Sequence, residues 1–197
     1  IAASLSAQKV RTAIAEIDSI TPGIKKSIAE FVFEFKPTVV GFAAYQVNIR
    51  LAVQLAGIIK ICDPSICVVL GGPQVTCMPF TALAHMPEVD ALIRGEGEVV
   101  LPAFVRCVAD QGDISQVKGI AFRTEQGLYE TAPQPLVKDL DAFPSPYQTG
   151  AFHWRDHRVA AMLTSRGCAF NCNFCYTPRA FNRTIRAHST RRVLDDM

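Results

Sequence analysis

Cys67-Val-Val-Leu-Gly-Gly-Pro-Gln-Val-Thr76 reads as a short strand that runs straight into a loop. An unbroken apolar run closed by Gly-Gly-Pro is the pattern of a strand covered on both faces, as in parallel sheets. The flanks repeat it. Upstream, Thr38-Val-Val-Gly-Phe-Ala-Ala44 is a second such strand. Asn48 then caps a helix predicted through Ile61, with Leu51, Leu55, Ile58 and Ile59 on its inner face. Residues 25–35 place Ile28, Phe31, Val32 and Phe35 at helical spacing, and Pro37 ends that helix. Downstream, residues 80–85 form a short helix and Val89-Asp-Ala-Leu-Ile-Arg94 a third strand. Residues 98–110 form a helix that tolerates Pro102 in its first turns.

Strands alternating with helices predict a parallel sheet with helices on both faces, a Rossmann-like α/β fold. Residues 10–18 favour a strand over a helix. Lys118-Gly-Ile-Ala-Phe-Arg-Thr-Glu-Gln-Gly-Leu-Tyr129 changes the pattern and reads as a hairpin turning near Gln126-Gly127. Pro133, Pro135, Pro144 and Pro146 mark a linker in which Asp139-Leu-Asp-Ala-Phe-Pro-Ser-Pro146 is expected to be extended.

Past the linker, the apolar run Val159-Ala-Ala-Met-Leu-Thr-Ser-Arg-Gly167 has strand length and feeds Cys168-Ala-Phe-Asn-Cys172-Asn-Phe-Cys175-Tyr176. The cysteines therefore belong to a loop at a strand's C-terminal end, where α/β folds place their chemistry. Three thiolates at C-x3-C-x2-C spacing can hold three irons of a [4Fe-4S] cube and leave the fourth open. The competing assignment is zinc, with His153, His157 or His188 as a fourth ligand; only Cys172 and Cys175 have the x2 spacing that structural zinc sites favour. A disulfide framework fits less well, because seven cysteines is an odd number. Cys62, Cys67, Cys77 and Cys107 lack ligand spacing and read as buried apolar thiols.

C-x3-C-x2-C with an aromatic, Phe174, before its last cysteine resembles the signature of the radical SAM superfamily. That resemblance implies that Cys168, Cys172 and Cys175 hold the cluster, and that its open iron chelates S-adenosylmethionine, which the reduced cluster cleaves to a 5'-deoxyadenosyl radical. The wider order is more specific: a strand, then Gly71-Gly-Pro73, a strand ending in Arg94-Gly-Glu-Gly-Glu98, a hairpin, D-L-D-x-x-P-x-P, and the cysteine loop. It is similar to radical SAM enzymes with an N-terminal cobalamin-binding domain. The resemblance spans roughly residues 39–197.

It implies a cobalamin-binding Rossmann-like domain over residues 1–115 lacking an N-terminal strand, a hairpin and Pro-rich linker over 116–150, and the start of a radical SAM (β/α)6 partial barrel over 151–197. Cobalamin would lie at the C-terminal edge of the sheet, against Gly71, Gly72, Pro73, Gln74, Gly95, Glu96, Gly97 and Glu98, with Tyr45 toward the corrin. Each loop taken singly is equally well explained as a tight βα turn. Tyr45 is equally well explained by packing. The D-x-H-x-x-G motif that gives cobalt a histidine is absent, which leaves open both cobalamin held without that ligand and loss of cobalamin. The expected activity is methyl transfer to an unactivated carbon or phosphorus, worked without oxygen. Its rivals are another radical SAM reaction (cyclisation, rearrangement or methylthiolation) and a non-catalytic zinc- or nucleotide-binding regulatory module. Partners implied are a small-molecule or peptide substrate and a reductant protein such as flavodoxin or ferredoxin.

Composition sets outer limits. The chain has 197 residues, 49% hydrophobic and 19% charged, enough for a packed core. No G-x-G-x-x-G follows the first strand and no G-x-x-x-x-G-K-[ST] occurs, which disfavours a nicotinamide cofactor and excludes a P-loop. A net charge of +2 selects no partner, although residues 151–197 carry eight Arg and three Asp without Lys or Glu. Arg166 stands two residues before Cys168, suited either to tuning the cluster or to a structural ion pair. Trp154 and His153 fit packing better than a site entrance. No apolar run approaches a membrane span, and free cysteines without a secretory signal imply a reducing cytoplasm. The chain begins with Ile1 and stops in a helix capped by Ser189 or Thr190, so it reads as a fragment of a longer protein.

Overall fold

The computed structural model describes residues 1–17, 21, 23–151, 158–159 and 161–197. The chain divides into two compact units, one of residues 15–134 and one joining residues 1–14 to 135–197.

The larger unit is a five-stranded sheet. Its strands are β1 (Val39–Ala43), β2 (Cys67–Gly71), β3 (Ala91–Ile93), β4 (Ile120–Thr124) and β5 (Gly127–Glu130), side by side in that order. The first three are parallel, as their unbroken apolar sequences predict. At the far side β4 runs antiparallel to β3, and β5 closes the predicted hairpin on β4. A hairpin joined by so short a turn can only be antiparallel.

The side-chain alternation of the strands builds two apolar layers. Val68, Leu70, Leu92 and Ala121 face one layer, with Ile28 and Val32 of α2 (Ile24–Phe35) and Leu55, Ile58 and Ile59 of α3 (Ile49–Cys62). Val69, Ala91, Ile93, Ile120 and Phe122 face the other, with Val100 and Phe104 of α5 (Gly97–Ala109). Covering both faces explains why β2 reads as apolar throughout. Between β2 and β3 lie the short helix α4 (Pro73–Cys77) and a 3-10 segment, Phe80–His85. Its Leu83 is completely buried in the first layer.

Other expectations are corrected. Residues 10–17 form no regular strand, and Asp18 lies outside the described residues. Cys62 and Cys77 are exposed rather than buried. Cys67 is half-buried, and burial, with the Asp90 carboxylate adding, pushes its thiol up to about 12.

In the smaller unit, α1 (Ala2–Ala7) opens the chain. The segment expected to be extended contains a 3-10 turn, Leu140–Ala142, because the Asp139 side chain accepts a hydrogen bond from the Asp141 amide at 2.9 Å. The apolar run forms far less strand than its length suggests. Among the described residues of the run, β6 (Ser165–Gly167) is the part that pairs, antiparallel to β7 (Ile185–Ala187). Between them lies α6 (Thr177–Ala180), and α7 (Thr190–Asp196) follows with Ser189 as its cap, accepting from the Arg192 amide. Among the described residues no helix is long and apolar enough to cross a membrane.

Candidate cofactor-binding edge and cysteine loop

The loops singled out in the larger unit all lie at the C-terminal ends of its parallel strands. After β1, Tyr45 is half-exposed and Val47 is 95% exposed. Asn48 does not cap α3 with its side chain as expected. It turns back, accepting from the Tyr45 amide at 2.7 Å and donating to the Ala43 carbonyl at 2.9 Å. This fixes the Tyr45 turn beside the sheet edge.

After β2, Gly72 has φ of +106°, and a Cβ there would stand 2.9 Å from the Ala44 carbonyl oxygen. The Ala44 amide donates to the Gly71 carbonyl at 2.7 Å, and the Gln74 amide to the Ala44 carbonyl at 3.2 Å. The ends of β1 and β2 are thus joined main chain to main chain, which the glycine permits. After β3, Gly95 has φ of +82° with nothing within 4 Å of where a Cβ would be. Its backbone faces open space. Glu96, the residue before α5, is 4% exposed.

Thr76 and Arg94, which bound the two loops as read from the sequence, connect them, a role the sequence did not assign. The Thr76 hydroxyl donates to the Gly72 carbonyl at 3.0 Å and accepts from the Gly95 amide at 3.1 Å. Arg94 Nη2 donates to the carbonyls of Thr76 at 3.1 Å and Met78 at 3.3 Å, and its Nη1 pairs with Glu130 of β5. An arginine written directly before G-E-G-E was a signal, but its partners lie 16, 18 and 36 positions away and cannot be read locally. Two cavities, of about 570 and 540 Å3, lie elsewhere in the unit, beside Pro37 and Cys62 and beside Arg106 and Gly112. At the sheet edge Tyr45, Val47 and Gly95 are exposed within this unit, at the strand ends where open α/β sheets bind ligands.

In the smaller unit the cysteine loop begins where β6 ends. Gly167 has φ of +100°, and its backbone lies so close to the Thr184 carbonyl that no side chain fits. Cys172 is exposed, while Cys168 and Cys175 are half-buried. The Cys175 amide donates to the Cys172 carbonyl at 3.2 Å, forming a tight turn. The Thr177 side chain, then the Thr177 amide, holds the Cys175 thiol below its usual value, with Arg179 adding charge. Arg179 also donates to the carbonyls of Asn173 at 2.9 Å and Cys175 at 3.3 Å. Phe174 is 92% exposed.

Among the described residues, no three His, Cys, Asp or Glu side chains converge as a metal site. The donor chemistry nevertheless fits an iron–sulfur cluster: three accessible thiols on one loop, one of them acidified. His188, one of the candidate zinc ligands, is engaged otherwise, its Nδ1 being 2.8 Å from Asp141 Oδ1. His153 and His157, with Trp154, lie outside the described residues. The Arg166 guanidinium lies 5.0 Å from the centre of the Phe143 ring.

Comparison with known proteins places this geometry in a family. The B12 binding domain matches residues 1–105. The anaerobic magnesium-protoporphyrin IX monomethyl ester cyclase of Rubrivivax gelatinosus is 32% identical over 92% of the chain, which covers 34% of that protein. The cobalamin-dependent radical SAM methyltransferase TokK of Streptomyces tokunonensis is 30% identical over 82% of the chain, which covers 25% of that protein. The chain thus spans about a third or less of these relatives. The radical S-adenosylmethionine methyltransferase TsrM of Kitasatospora setae shares the fold with a TM-score of 0.78 at 17% identity, covering 98% of this chain and 40% of its own. The resemblance to radical SAM enzymes with an N-terminal cobalamin-binding domain is borne out, and the chain belongs to the B12 binding domain family.

Proposed function

We propose that this chain is the cobalamin-binding and cluster-bearing part of a cobalamin-dependent radical SAM methyltransferase acting on an unactivated carbon or phosphorus centre. The observation that carries it is one chain joining a B12 binding domain match over residues 1–105 to a C-x3-C-x2-C loop at residues 168–175. The methyltransferase relative at 30% identity supports the same reading. When bound, the cluster would supply the electron that cleaves S-adenosylmethionine, and cobalamin would carry the methyl group.

The chain's own residues bind and orient. Cys168, Cys172 and Cys175 would hold the cluster, and the Thr177 contact keeps Cys175 closer to the thiolate that iron requires. The Gly71–Gln74 and Gly95–Glu98 loops would offer main chain to cobalamin, and exposed Tyr45 and Val47 would give the corrin an apolar seat. The cyclase relative, at 32% identity, favours a second reading in which the same frame serves ring formation.

The test is the metal content of protein purified without oxygen from cells supplied with cobalamin. About four irons and one cobalt per chain are expected. Iron without cobalt would remove methyl transfer through cobalamin and leave the radical chemistry. Zinc without iron would overturn the assignment of the three cysteines.

A further inference from the structure

We propose that Arg94 is a positioning residue that pre-orders the cobalamin-binding edge, holding the Gly71–Gln74 and Gly95–Glu98 loops in the arrangement that receives the cofactor. The ligand in this inference rests on the function proposed above; the ordering role rests on geometry alone.

Arg94 directly follows β3, and its own amide donates to the Gly119 carbonyl at 2.8 Å. From there one guanidinium reaches two ways. Nη2 takes the carbonyls of Thr76 and Met78, at the end of α4 and just beyond it. Nη1 takes the Glu130 carboxylate on β5. The side chain is 23% exposed, so these bonds are only partly screened by water. A lysine has one nitrogen and cannot serve carbonyls on one side and a carboxylate on the other with the same fixed fork.

The partners of Arg94 lie at the end of α4, just beyond it and at the last residue of β5, and none is a buried core residue. Strands β1 to β3 are held by their own ladders and by the two apolar layers. The Gly71–Gln74 loop is tied to Ala44 by main-chain bonds, whereas the Gly95 loop has less to hold it. Gly95 has no neighbour within 4 Å of its Cβ direction, so its backbone is not packed in place. What ties it is the Thr76 hydroxyl, which also holds the Gly72 carbonyl. Arg94 in turn fixes the Thr76 carbonyl. Removing the fork loosens Thr76, and through it the Gly95 loop and that loop's link to Gly72. Ordering them in advance spares a ligand that cost on binding.

The test combines two measurements on the full chain and on Arg94→Lys and Glu130→Gln. Hydroxocobalamin binding is followed by its visible absorbance, and amide hydrogen exchange is followed without ligand. Arg94→Lys should bind about tenfold more weakly, as when the competent loop arrangement falls to about a tenth of the population. Exchange should quicken at residues 74–78 and 95–97 and stay unchanged in β1 to β3. Glu130→Gln should weaken binding in the same direction by less. Wild-type affinity and exchange in Arg94→Lys would overturn the proposal. So would exchange that quickens equally in the strands, which is the mark of a general stabiliser. A wild-type protein that takes up no hydroxocobalamin would sink the proposed function, while the exchange comparison would still decide the role of Arg94.

Discussion

A single glycine shows how little separates fold from site at the sheet edge. At Gly72 a methyl group would meet main-chain atoms of Ala44 at 2.9 and 3.2 Å, which cannot rotate away. Its φ of +106° adds strain for any other residue. Gly95 needs only the angle, since the space around it is open. Gly72→Ala should therefore cost about 1–3 kcal/mol and Gly95→Ala about 1 kcal/mol, read as chemical denaturation midpoints. Equal losses would mean that the ends of β1 and β2 separate easily. Cys67 offers a second check at this scale. Burial raises its thiol to about 12, so the neutral form is favoured in the folded protein. Its contribution to stability is whole below the ordinary value of 9.0 and is lost as pH rises toward about 12. At pH 8 an alkylating reagent should modify exposed Cys62 well before Cys67, as peptide mass spectrometry would record.

Among the elements, those legible in the sequence are those whose apolar pattern matches what buries them. α2, α3, β1 and β2 were legible because each lays a set of apolar side chains against the sheet or a helix layer, although Phe31 of α2, read as part of that set, is exposed. The run from Val159 was not, because apolar character tells nothing of what covers it. Val159 is 81% and Leu163 73% exposed, and pairing begins only at Ser165. Polar turns were misread for a different reason: the Asp139 side chain, not periodicity, shapes the 3-10 turn at Leu140–Ala142. That turn presents Asp141 to His188 at 2.8 Å and to the Ser189 amide at 3.2 Å, at the start of α7. The Ser189 contact first, and His188 next, hold the Asp141 carboxyl below its usual 3.8. A depressed carboxyl contributes stability that is present above pH 3.8 and is lost as pH falls through its lowered value. Asp141→Asn should therefore be less stable near neutrality and approach wild type in acid. Thermal melts between about pH 2 and 6 read this directly. A constant gap across that range would show that the charge of Asp141 is not what matters.

At the scale of the whole molecule, the two candidate sites belong to different units. The loops proposed for cobalamin lie within residues 15–134, and the three cysteines lie within the unit that includes residues 135–197. The glycines and cysteines proposed for these sites stand out in the sequence because such chemistry is written in short motifs. The polar net of Thr76, Arg94 and Glu130 does not, because it joins side chains to distant main chain. Cobalamin on the loops alone and iron on the cysteines alone would be separable losses. Replacing Cys168, Cys172 and Cys175 together by serine removes the thiolates and should abolish iron binding, while hydroxocobalamin affinity stays within about twofold of wild type, as expected for independent sites. Arg94→Lys should do the reverse, keeping iron and losing affinity for hydroxocobalamin. Iron counts and visible titrations on the same anaerobic preparations give both values. If the cysteine variant also loses hydroxocobalamin while its thermal midpoint is unchanged, the sheet edge does not bind that cofactor by itself. The ligand must then contact residues beyond the Gly71–Gln74 and Gly95–Glu98 loops, and the assignment of cobalamin to those loops alone would fail.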